Sequence, residues 1–119
     1  MKKVLIVDDE PDAVEFLKRG LERNSFEAIS AANGEEGFKK ALAEKPDLII
    51  LDLVMPNKDG FTILEELKAN HATRQMPVIV LSARPESTSI FKGQDYGAID
   101  YIIKPCDFQT ILGYIKRYI

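Results

Sequence analysis

Apolar residues fall into two alternating patterns along this chain. Short unbroken runs stand at Val4–Val7, Leu48–Leu51 and Val78–Leu81, with a briefer one at Tyr101–Ile103. Runs rich in Val and Ile and bounded by turn residues suit strands covered on both faces. Ala28-Ile29-Ser30-Ala31 reads as a weaker strand, fitted to a sheet edge. Between the runs, apolar positions recur at helical spacing: Val14, Leu17 and Leu21, then Phe38, Ala41 and Leu42. Phe61, Leu64 and Leu67 follow, and Phe108, Ile111, Leu112, Ile115 and Ile119 make a clean one-face stripe at the end. Asn33, Asp59 and Asp107 suit the N-cap position ahead of three of these patterns. Pro46 and Pro77 would stop the helices before the second and third strong strands. The stretch between Arg84 and Gly97 contains Ser87, Thr88, Ser89 and Gly93, all poor helix formers, and reads as a short, marginal helix.

Five strands alternating with five helices predict an α/β fold with a parallel sheet, right-handed crossovers and helices on both faces. The first, third and fourth strands are the most apolar and belong at the centre. Strands two and five then take the edges. The expected architecture is a flavodoxin-like, doubly wound five-stranded parallel sheet in the order 2-1-3-4-5. At 119 residues, with no linker-like stretch, repeat or low-complexity tract, a single domain over 1–119 is expected.

Composition narrows the class. The chain is 45% hydrophobic and 29% charged, as a soluble globular protein should be. Net charge is −3 with the signs interspersed, which argues against a nucleic-acid footprint. The one cysteine, Cys106, excludes an internal disulfide and a Cys-based zinc site, and it suits a reducing cytosol. The apolar run after Lys2-Lys3 stops at Asp8-Asp9-Glu10, too short for a signal peptide, and no run approaches a membrane span. A cytoplasmic domain, with neither membrane nor nucleic acid as direct partner, is the expectation.

Chemistry collects at the strand ends. The first strand ends in Asp8-Asp9, the third in Asp52, the fourth in Ser82 and the fifth in Lys104. Open α/β sheets bind ligands beyond the carboxyl ends of their strands, where the strand order switches. With the order 2-1-3-4-5 that point lies between strands one and three. Asp8, Asp9 and Asp52 are thus expected to share one crevice, with Ser82 and Lys104 on its rim. Taken singly, each has a bland reading as a turn former, helix cap or solvated surface group. Their joint placement is harder to dismiss.

Three carboxylates in one pocket repel one another unless protonated or neutralised by a cation. Oxygen ligands with water completing an octahedron suit Mg²⁺. One carboxylate is then available as a nucleophile forming an acyl phosphate. Lys104 would offset phosphoryl charge and Ser82 would donate a hydrogen bond to it, the positioning and neutralisation that phosphoryl transfer needs. No Gly-rich loop follows the first strand, so Walker A and dinucleotide fingerprints are absent. His71 is the only histidine, which excludes a histidine-based zinc site or hydrolase triad.

These residues resemble the receiver domain of two-component response regulators over the whole length, in the manner of chemotaxis regulators. Val4-Leu5-Ile6-Val7-Asp8-Asp9-Glu10 is similar to the family's first strand and acidic pair. Asp52-Leu53-Val54-Met55-Pro56 with Asp59-Gly60 is similar to its phosphoacceptor loop. Pro77 through Ala83 and Gly97 through Pro105 resemble its fourth and fifth strands. The resemblance implies Asp52 as the acceptor of a phosphoryl group from a sensor histidine kinase or histidine phosphotransfer protein. It implies Mg²⁺ held by Asp9, Asp52 and the Val54 backbone carbonyl, with Asp8 acting through water. Lys104 would bind the phosphoryl group, and the bond to Pro105 would be cis. Ser82 and Tyr101 would form the switch, with small Ala83 leaving room for it. Val54 and Arg84 occupy positions that modulate the lifetime of the acyl phosphate, and Cys106 stands where the family commonly has Phe.

The same resemblance implies that the fourth helix, fifth strand and last helix change on activation, acting on a downstream protein or an output domain outside this chain. A phosphorylation-dependent dimer is a further expectation, and Tyr114 and Tyr118 lie where they would extend a partner-binding patch or cap the core rim. Donor docking is expected on the first helix around Val14 and Leu17. Such a domain would be no enzyme beyond its own phosphorylation and dephosphorylation. Two rival readings stand beside it. One is a receiver-like binding module that works without phosphorylation. The other is a small Mg²⁺-dependent phosphatase turning over an aspartyl phosphate, against which the lack of an Asp-x-Asp motif at Asp52 weighs.

Overall fold

The computed structural model describes residues 1–54, 60–83 and 97–119. The elements run β1 (Lys3–Val7), α1 (Pro11–Arg23), β2 (Glu27–Ala31), α2 (Gly34–Glu44), β3 (Leu48–Leu51), α3 (Gly60–Ala69), β4 (Val78–Ser82), β5 (Asp100–Ile103) and α4 (Phe108–Tyr118). The predicted marginal helix lies outside the described residues, apart from Gly97, as do Asp59 and Arg84. All neighbouring strands pair in parallel, in the order β2-β1-β3-β4-β5. This is the flavodoxin-like sheet expected from the apolar runs. No helix among the described residues is long and apolar enough to cross a membrane.

Alternation along the strands divides the core in two. Leu5, Val7, Ile49, Leu51, Val78 and Val80 face α2 and α3, where Ala41, Ile63, Leu64 and Leu67 meet them. Val4, Ile6, Leu48, Ile50, Ile79, Leu81 and Ile102 face α1 and α4, packing on Leu17, Leu21, Ile111 and Ile115. Each such fully buried aliphatic side chain contributes roughly 1.5–3 kcal/mol relative to exposure. Strands covered on both faces cannot alternate polar and apolar residues, hence the unbroken runs of β1, β3 and β4. β2 and β5 are partly open, as edges should be.

Helix starts follow local chemistry. Asn33 Oδ1 accepts from the Glu36 N–H at 2.9 Å and Asp107 Oδ1 from the Thr110 N–H at 2.8 Å, capping α2 and α4 as their positions implied. Gly60 opens α3 where the helix presses on the loop after β3. A Cβ there would stand 2.5 Å from the Leu53 Cα, so only glycine permits the approach.

Candidate functional site

Register brings the acids level. Val7 pairs with Leu51, so Asp8 and Asp52 leave adjacent strands side by side. The Asp52 N–H donates to the Val7 carbonyl at 3.0 Å, carrying the ladder one residue further. At the other side, Ser82 pairs with Ile103, and the Lys104 N–H donates to the Ser82 carbonyl at 2.8 Å. Lys104 therefore enters the crevice from β5, and its Nζ donates to Asp8 Oδ2 at 2.9 Å and Asp52 Oδ2 at 3.3 Å. Asp8 is 3% exposed, Asp52 5%, and Ser82 is fully buried at the end of β4.

Two short turns fix the carboxylates. The Val54 N–H donates to Asp52 Oδ1 at 3.0 Å, and the Glu10 N–H donates to Asp8 Oδ1 at 3.0 Å. Each acid thus keeps one oxygen on a backbone amide and turns the other toward Lys104. Burial pushes the Asp52 carboxyl above its usual range, and the Asp8 charge adds to this. The Val54 amide and Lys104 offset only part of the rise. For Lys104, burial alone would lower the ammonium. The hydrogen bond to Asp8 and the charges of Asp52 and Asp8 outweigh it, leaving the ammonium above the ordinary lysine value.

Of the residues singled out from sequence, Asp8, Asp52 and Lys104 meet directly. Asp9 is half-buried and lines a hollow together with Asp8, Pro11, Val14 and Ser30. Val54 and Ala83 are exposed at the rim, and the Lys104–Pro105 peptide bond is cis. Tyr101 is half-buried against the core cluster on the α2 and α3 side. Leu17, expected on a docking surface, is buried in the core instead, because its position on α1 faces the sheet. The apolar side chain that α1 offers to solvent is Phe16, 48% exposed and edge-on to Phe108 at 6.1 Å. Tyr114 and Tyr118 pack on the core rim, and the Tyr118 hydroxyl donates to Asp100 Oδ2 at 3.0 Å.

Sequence reasoning passed over Glu10. Its carboxylate, with those of Asp8 and Asp52, offers oxygens that all lie within 4.8 Å of one another. Hard oxygen donors in a negatively charged crevice fit Mg²⁺ and no soft metal. A cavity of about 310 Å³ adjoins this cluster, lined by Glu10, Ala13, Phe16, Lys104, Pro105 and Cys106 among others.

Comparisons with known proteins agree with this geometry. The response regulator receiver domain family matches over residues 4–116. The alkaline phosphatase synthesis transcriptional regulatory protein PhoP of Bacillus subtilis is 41% identical over 97% of this chain and 47% of its own length. Protein PilH of Pseudomonas aeruginosa is 37% identical over 94% of this chain and 93% of its own length. The chain spans about half the length of the first curated relatives it matches. The solved structure of chemotaxis protein CheY4 from Vibrio cholerae superposes with a TM-score of 0.94 at 28% identity, covering 100% of this chain and 99% of that one. Receiver domains bind Mg²⁺ at an acidic pocket and are phosphorylated on aspartate. With the family matched over nearly the whole chain and a parallel sheet that delivers two buried aspartates and a lysine to one crevice, the chain belongs to the receiver domains of two-component response regulators.

Proposed function

We propose that residues 1–119 form a receiver unit whose Asp52 accepts a phosphoryl group from a phosphohistidine on a sensor kinase or phosphotransfer protein. The observation that carries this reading is the convergence of Asp8, Asp52 and Lys104 in one crevice, with Asp52 almost fully buried. An Asp52 carboxylate oxygen attacks phosphorus, the new O–P bond forms as the P–N bond breaks, and the imidazole leaves with the bonding electron pair. Asp9, Asp52 and the Val54 carbonyl would hold Mg²⁺, with Asp8 acting through water. Bound there, the ion would neutralise charge on the carboxylate and phosphoryl oxygens. Lys104 follows the phosphoryl group, since its ammonium already lies 3.3 Å from the acceptor. The Val54 amide holds the non-attacking oxygen and orients the carboxylate.

The Ser82 hydroxyl then donates to the phosphoryl group, and Tyr101 moves inward past Ala83. Phosphate contacts present in only one packing shift the population toward it. Val54 and Arg84 set how readily water reaches the acyl phosphate. The altered β5 and α4 face acts on a downstream protein, an output domain or a second copy, in a cytoplasmic setting.

Intact mass after incubation with acetyl phosphate and Mg²⁺ tests the reading. The expected result is a single phosphoryl adduct that needs Mg²⁺ and is absent from Asp52→Asn. Failure to form an adduct with acetyl phosphate or a phosphohistidine donor, together with failure to bind beryllofluoride, overturns it.

A further inference from the structure

Glu10 is the N-cap residue of α1, with Pro11 following, yet its side chain makes no capping hydrogen bond. Side-chain caps come from Ser, Thr, Asp and Asn, whose short reach returns to the first free amides. The longer glutamate goes elsewhere, and its carboxylate lies within 4.8 Å of oxygens from Asp8 and Asp52. Lys104 is committed to those two aspartates. Among the described residues the Glu10 carboxylate has neither a hydrogen bond nor an ion pair. Three carboxylates therefore face one ammonium, and the excess of two negative charges is what a divalent cation neutralises. The Glu10 N–H, bonded to Asp8 Oδ1 at 3.0 Å, fixes the backbone from which this third carboxylate projects.

Resting on the reading of the crevice as a Mg²⁺-dependent acceptor site, we propose that Glu10 supplies a further carboxylate to the cation and strengthens Mg²⁺ binding. It is a positioning residue for the ion, standing at the crevice mouth, where Asp8 and Asp52 are at the floor. The position also places it on the wall of the cavity between α1 and the β5–α4 connection, so it borders both the ion and any group entering there.

Calorimetric titration of the full chain with MgCl₂ at roughly physiological salt tests this without any phosphoryl transfer. Glu10→Gln keeps the shape of an exposed side chain, and circular dichroism confirms its fold. Its Mg²⁺ affinity should fall about tenfold, at the low end for groups that support a bound metal. Asp12→Asn, in the first turn of the same helix, removes an equal charge outside the cluster and should change affinity less than about twofold. A Glu10→Gln affinity within about twofold of the parent, or no lower than that of Asp12→Asn, overturns the proposal. Asp52→Asn separates the two levels. Undiminished Mg²⁺ binding in that variant sinks the reading of the crevice, whereas loss there with no effect at Glu10 sinks only the role of Glu10.

Discussion

Lys104 and Asp8 are 96 residues apart in sequence and 2.9 Å apart in the fold, an ammonium and a carboxylate sharing a crevice with limited access to water. Breaking a buried pair by removing one partner leaves a bare charge, which costs more than the pair itself contributes. Lys104→Met should therefore destabilise the metal-free protein by about 2–4 kcal/mol in urea unfolding. Mg²⁺ should restore more stability to this variant than to the parent, because the ion replaces the lost cation. Equal Mg²⁺ effects on both proteins would contradict this account.

Asp52 has the opposite balance. Burial raises its carboxyl pKa in the fold above the unfolded value, so the native state binds the proton more tightly than the unfolded chain does. The cost of its charge is absent below the unfolded pKa and fully present above the folded one. Asp52→Asn should accordingly be more stable than the parent in EDTA at neutral pH, by about 1 kcal/mol. That advantage should shrink as pH falls through the window between the two pKa values. Added Mg²⁺ should reverse the ranking by stabilising the parent alone.

The two caps differ in their response to acid. Asn33→Ala should cost about 1 kcal/mol at any pH, since the lost amide bond involves no titrating group. The Thr110 backbone and hydroxyl hold the Asp107 carboxyl below its usual range. Its contribution is present above the unfolded pKa and is lost as pH falls through the depressed folded one. The penalty of Asp107→Ala should thus fade in acid while that of Asn33→Ala persists, as melting temperatures across pH will register.

Two glycines should respond with opposite signs. A Cβ on Gly113 meets nothing within 4 Å, and the residue sits inside α4. Gly113→Ala should stabilise by about 0.5–1 kcal/mol through lower backbone entropy. Gly60→Ala sets a Cβ against backbone atoms of Leu53 and Asp52 and should cost about 1–3 kcal/mol. It should also weaken Mg²⁺ binding, because the displaced loop carries Val54.

Most of the architecture was legible because strands buried on both faces must be continuously apolar, and Val4–Val7, Leu48–Leu51 and Val78–Leu81 are. The crevice was legible because Asp8, Asp52, Ser82 and Lys104 each stand at a strand's carboxyl end. Side-chain direction around a turn was not. Asp9 and Glu10 are adjacent acids, and nothing in their spacing says that the Glu10 carboxylate also reaches Asp8 and Asp52. The helical period placed Leu17 on an apolar stripe without saying that the stripe faces the sheet, leaving Phe16 as the side chain offered to solvent.

The distance along the chain between Asp8 and Lys104 also bears on how the protein is made. β1 is synthesised before β5, so two acidic groups wait through the 96 residues between Asp8 and Lys104 for their counter-charge. Until residue 104 is available, closing the sheet over Asp8 and Asp52 would trap like charges without compensation. Early strands are thereby discouraged from sealing that end prematurely. A nascent or truncated chain lacking β5 would hold an acceptor without its lysine, so competence to receive the signal would double as a check that synthesis has passed β5.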